Sequence, residues 1–158
     1  MLLGFQQRFE DQIVKGVKTH SIRGLRKRRP RPGEMCHCYV NPRTKRMRLL
    51  GRWSCVRVQS IVIRRTAQYD RFAIQWPFSQ PCPLCCTVTE PNKRHECSSY
   101  GLVVNIDGER LSTDETNAFF IADGFPGGAA EAADFWPNGL PAGDLIHWQF
   151  TEEGLAKP

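Results

Sequence analysis

FQQRFEDQIVKGVKTHSIR, residues 5–23, is the stretch on which the reading of the fold turns. Together with Leu2 just ahead of it, its apolar residues Phe5, Phe9 and Ile13 recur at intervals of three, four and four. That spacing puts them on one face of a helix, so a short amphipathic helix is predicted over about residues 5–15, stopped by Gly16. The next residues, THSIRG, alternate as a strand does, and the basic run that follows holds Pro30, Pro32 and Gly33 and reads as a loop.

Beyond this opening the chain is rich in strand patterns. EMCHCYV alternates Met35, His37 and Tyr39 against Cys36, Cys38 and Val40, and MRLLGRWSCVRVQSIVIRR is a long β pattern with Gly51 as a bend or bulge. LVVNIDGERL reads as a hairpin turning on Asp107-Gly108, a favoured two-residue turn. Ser112 followed three positions on by Glu115 is a capping pattern, so STDETNAFFIADGF is a helix ending near Gly124. GGAAEAADFW is a second short helix with Phe135 and Trp136 at its end, and DLIHWQF is a last strand. Short strands with few long helices give an α+β domain built on a small barrel.

With 158 residues the chain is expected to be one domain, large enough for a core without disulfides or metal. Its net charge of +6 hides an asymmetry: residues 1–66 carry net +14 and residues 67–158 carry net −8. A basic half of that size points to a polyanionic partner or to a merely solubilising surface. No run approaches the roughly 18 apolar residues of a membrane span, and the N-terminal residues lack the basic and apolar regions of an export signal. The expectation is a cytoplasmic protein with no membrane partner, whose seven cysteines are reduced.

Residues 76–100 differ from their surroundings in holding four prolines and four cysteines, and about residues 66–100 read as an insertion. Cys82-x2-Cys85 begins like a zinc knuckle, with Cys86, His95 and Cys97 following, but His95-x-Cys97 is shorter than the usual second half. The segment is either a zinc-pinned excursion or a free-thiol loop, and no metal or cofactor is assigned to the functional site. Cys36, Cys38 and Cys55 fall in predicted strands, where buried thiols are common.

FQQRFEDQIVKGVKTHSIR, then PGE, a strand with a cysteine, IADGF, FW and a closing IHW strand together resemble the ASCH domain, a relative of the PUA RNA-binding fold. The likeness covers most of the chain outside residues 66–100, and the G-x-K-T-x-[ST]-I-R segment is its most specific part. The resemblance implies a small PUA-like β-barrel with flanking short helices and a cleft beside the first helix. It also implies binding of, or action on, RNA or nucleosides. One bacterial branch hydrolyses the N4-acyl amide of acetylated cytidine with a Lys and a Thr of that motif and a downstream Glu, and other members are linked to RNA cleavage. Carried onto this chain, the Lys is Lys18, the Thr is replaced by Ser21, and Asp123 stands in for the Glu.

The residue types suit that chemistry. Amide hydrolysis needs a nucleophile, a base and a group that orients them: Ser21 in the first role, Lys18 in the second if burial and the positive field lower its affinity for a proton, Asp123 in the third. In a regular strand positions 18 and 21 face opposite sides, so a shared site requires Lys18 to sit at the bend after Gly16. His20 is a further acid or base, or a packed histidine. Arg23, Arg26, Lys27, Arg28, Arg29 and Arg31 can meet phosphates, helped by Arg43, Lys45, Arg46 and Arg48, while Tyr39, Trp53, Trp136 and Trp148 are either base-stacking residues or core. Three functions stay open at this point: a domain that binds RNA or a modified nucleoside and hydrolyses it, a metal-independent ribonuclease, and a non-catalytic nucleic-acid-binding adaptor.

Overall fold

The computed structural model describes residues 1–65 and 102–156. In chain order the elements are strand β1 (Leu2–Phe5), a 3₁₀ turn (Gln7–Phe9), helix α1 (Glu10–Val14), strands β2 (His20–Gly24), β3 (Met35–Val40), β4 (Arg48–Arg65), β5 (Leu102–Ile106) and β6 (Glu109–Arg110), helices α2 (Thr113–Ala122) and α3 (Gly128–Phe135), strand β7 (Leu140–Trp148) and a closing 3₁₀ turn (Glu152–Gly154). Seven strands and three short helices make an α+β fold. The expected insertion at about 66–100 and the cysteines and histidine of its possible zinc site lie outside the described residues.

The opening helix is shorter than its spacing predicts. Leu2 and Phe5 belong to β1, which pairs in parallel with β3, and only Phe9 and Ile13 of the apolar series are carried by the 3₁₀ turn and α1. Four apolar residues at helical intervals also satisfy a strand whose inward side chains are Leu3 and Phe5, and pairing with β3 decides the matter. The other elements follow the sequence closely. β3 buries Cys36, Cys38 and Val40 as its alternation requires. Its register against β4 slips between Cys38, opposite Gly51, and Tyr39, opposite Leu49, so that a bulge forms beside Gly51, over which the Trp53 ring lies. Asp107 and Gly108 both take positive φ, 52° and 89°, and close the β5–β6 hairpin.

β4, 18 residues long, is the spine of the sheet. Its first half pairs with β3 and its second half with β7 and β5, while β2 attaches through β7. Among the described residues no backbone ladder joins the two outer strands β1 and β2, so the sheet is not a hydrogen-bonded barrel. Two arginine side chains span the gap instead: Arg23 donates to the Gly4 carbonyl at 2.5 Å and Arg26 to the Leu2 carbonyl at 3.2 Å. The core between sheet and helices holds Leu3, Ile13, Trp53, Ile61, Phe120, Phe125, Ile146 and Trp148, all almost fully buried. No helix of the described residues is long and apolar enough to cross a membrane.

Candidate functional site

A turn in the backbone puts Lys18 at the site. Gly16 has φ +69°, and the N–H groups of Val17 and Lys18 both donate to the Gln12 carbonyl, at 2.9 and 3.0 Å, so the chain is still turning at Lys18. β2 begins only at His20. The alternation that would send positions 18 and 21 to opposite sides therefore does not apply, and both line one cavity.

Asp123 arrives from the other side of the molecule, at the end of α2. The capping box between Ser112 and Glu115 starts that helix. Gly124, at φ +94°, ends it: its N–H donates to Ile121 and that of Phe125 to Phe120, both at 3.0 Å, which is a Schellman closure. The closure leaves Asp123 as the C-cap, 3% exposed. Lys18, 2% exposed, donates to the Asp123 carbonyl at 2.5 Å and forms an ion pair with its Oδ1. A cation at a helix C-terminus is favoured by the helix dipole as well as by the carboxylate. The Phe9 ring centroid lies 5.2 Å from Nζ.

Burial acts on both members of this pair in the direction that removes their charges. It lowers the Lys18 pKa, against the pull of Asp123 and with smaller help from Arg23 and Arg8, and it raises that of Asp123 against Lys18 and Arg23. The ion pair and its neutral counterpart, amine facing carboxylic acid, are thus closer in energy than in water. Of burial and positive field, both invoked from the sequence, desolvation is the larger cause, and the cations that add to it are Arg23 and Arg8.

The cavity has a volume of about 280 Å³, close to the lower end, about 300 Å³, of small-molecule pockets. Its polar lining comprises Lys18, Ser21 and Asp123 together with Gln6, Arg23 and Asn41, and Phe9, Phe125, Phe135 and Trp136 are among the aromatic rings that line it. Ser21 sits on β2 opposite Ile146, and among the described residues its hydroxyl is bonded to neither Lys18 nor Asp123. Arg8 braces the aromatic side from behind, its guanidinium 4.8 Å from the ring centroids of both Phe9 and Phe125 and 2.9 Å from Glu131. This wall was not foreseen beyond Trp136; its sequence signal is the aromatic residues of GF and FW, Phe125 after the end of α2 and Phe135-Trp136 at the end of α3.

The basic segment is largely engaged within the molecule. Arg23 also has its guanidinium 4.9 Å from the Phe5 ring, and burial, reinforced by Arg26, brings its pKa down to about 10. Arg28 pairs with Glu34 at 2.8 Å, and Arg29 with the fully buried Asp144 at 2.5 Å. Lys27 and Arg31 are exposed and form no side-chain ion pair among the described residues, and the same holds for Arg43, Lys45 and Arg46 in the β3–β4 turn. Arg48 pairs with Glu10. Of the aromatic candidates, Trp53 and Trp148 are core at 2% exposure, Tyr39 is half-buried, and only Trp136 lines the cavity. Among the described residues no three His, Cys, Asp or Glu side chains are grouped to hold a metal ion. No protein-family model, curated protein or solved structure matches the chain.

Proposed function

We propose that this is an ASCH-type, PUA-like domain that takes an N4-acylated cytidine, free or within single-stranded RNA, into the aromatic-lined cavity and hydrolyses its amide. The single observation that carries the reading is the buried Lys18–Asp123 pair in the lining of a cavity that also holds the Ser21 hydroxyl. The barrel belongs to the proposal: Arg23 of β2 and Arg26 just beyond it, which reach the Gly4 and Leu2 carbonyls, take the place of a closing backbone ladder.

In the proposed reaction neutral Lys18 takes the proton of Ser21 as the serine oxygen bonds to the acyl carbon. The C–N4 bond then breaks, and the Lys18 ammonium returns the proton to the departing amine. Water cleaves the acyl-serine ester, releasing acetate and leaving cytidine. Asp123 holds the lysine in place and, by accepting its proton in the neutral pair, gives it access to the amine form. The aromatic wall offers the pyrimidine ring a stacking face, and the exposed cations beside the cavity favour an approaching phosphate backbone.

The test is incubation with N4-acetylcytidine and, separately, with end-labelled single-stranded RNA, followed by chromatography. Cytidine is expected from the first, falling at least 10²-fold in Lys18→Ala and in Ser21→Ala. RNA fragments lost in Lys18→Ala, with no deacetylation, would convert the reading to a ribonuclease. Absence of any product would overturn hydrolysis and leave a binding domain.

A further inference from the structure

His20 is the residue of this region that the proposed reaction leaves unused. Its Nε2 lies 3.3 Å from Asp123 Oδ1, the same oxygen that takes Lys18, and Nε2 is buried without a completed hydrogen bond to any group among the described residues. Two rings pack against it: Phe119 of α2, stacked at 5.5 Å and 22°, and His147, its partner across the β2–β7 ladder, tilted by 39° at 5.5 Å. His147 Nε2 is in turn 3.0 Å from Gln59 Oε1, which holds that second ring in place.

We infer that His20 is a positioning residue, a neutral imidazole carrying its proton on Nε2: at 3.3 Å a bare Nε2 lone pair would repel Asp123 Oδ1, whereas an N–H there attracts it and restrains the carboxylate from turning away from Lys18. This rests on the reading of Lys18 and Asp123 as the working pair. With both contacts on Oδ1, Oδ2 has no protein hydrogen bond among the described residues and is the oxygen left for a substrate. A charged imidazole is incompatible with the setting, since burial, then Lys18 and His147, bring the His20 pKa down to about 3. The charged or titratable groups facing the cluster are Lys18 from the turn, Arg23 from β2, Arg8 from the 3₁₀ turn and His147 from β7.

Two NMR measurements test this without requiring any activity. The ¹⁵N shifts of the His20 ring in the wild-type protein identify the tautomer: a protonated Nε2 is expected, and a bare Nε2 overturns the inference. Second, the ¹⁵Nζ signal of Lys18 is titrated in wild type, His20→Phe and His20→Gln. A donor to Asp123 favours the carboxylate and so the ammonium. His20→Phe should therefore move Lys18 deprotonation to lower pH, and His20→Gln, which keeps an N–H donor, should move it back toward wild type. Identical titrations in all three would overturn the inference even if N4-acetylcytidine is hydrolysed. The expected shifts without hydrolysis would leave it standing while the proposed reaction fails. If His20→Phe does not fold, the tautomer and the glutamine variant decide.

Discussion

At the scale of single residues the site is governed by what burial does to charge. His20 is the clearest case, because its pKa is about 3 in the folded chain against the ordinary 6.5 of an exposed histidine. Between those values the unfolded chain binds a proton that the folded one refuses, so stability rises with pH across the window and is lost as pH falls from about 6.5 toward about 3. The slope owed to one such histidine is at most about 1.4 kcal/mol per pH unit. Denaturant melts between pH 7 and pH 4 should show it, and His20→Gln, if it folds, should flatten it; an unchanged slope would mean another group governs acid stability. Lys18 and Asp123 obey the same rule with opposite signs of charge, and each restrains the other's shift. The resemblance to the ASCH motif made Lys18, Ser21 and Asp123 candidates. Their burial was not legible, because it depends on which segments pack over them.

Among the elements, α2 matters most, since it delivers both Asp123, at its C-cap, and Phe119, one turn earlier, to the cluster formed with Lys18 and His20. Both of its ends are local chemistry: the Ser112–Glu115 box at the start and the Schellman closure on Gly124 at the finish. Ser112→Ala removes one half of the box and should cost about 1 kcal/mol of stability. In thermal melts this appears as a lower Tm with the cavity chemistry otherwise intact, because the cap lies a full helix length from Asp123. A variant that loses activity but not stability would instead show that the start of α2 takes part in the site. Helix α1 shows the limit of local signals. Its apolar spacing is compatible with both helix and strand, and the parallel ladder to β3, a contact more than 30 residues away, converts Leu2–Phe5 to strand.

On the scale of the whole molecule, positive charge that looks uniform along the basic run is divided by the fold. Arg23, Arg26, Arg28 and Arg29 have protein partners, so the cations left to meet a phosphate in the proposed function are Lys27 and Arg31 with Arg43, Lys45 and Arg46. If single-stranded RNA binds, replacing Arg43, Lys45 or Arg46 by Ala should reduce the slope of log affinity against log salt by about 1 each. Arg28→Ala should change it less. Equal effects at all these positions would mean that RNA pulls Arg28 off Glu34. The sequence by itself determined the α+β class, the hairpin on Asp107-Gly108, the caps of α2 and the burial pattern of β3, because each depends on contacts within a few residues or on a two- or 3.6-residue period, and the candidate trio was legible only through its resemblance to the ASCH motif. Only the tertiary structure decided that Lys18 meets Asp123 across 105 positions, that His20 stands beside the same carboxylate, and that Arg23, Arg26, Arg28 and Arg29 of the basic run bind partners within the chain. Those outcomes depend on long-range packing, which removes water from particular charges and so sets what each can do.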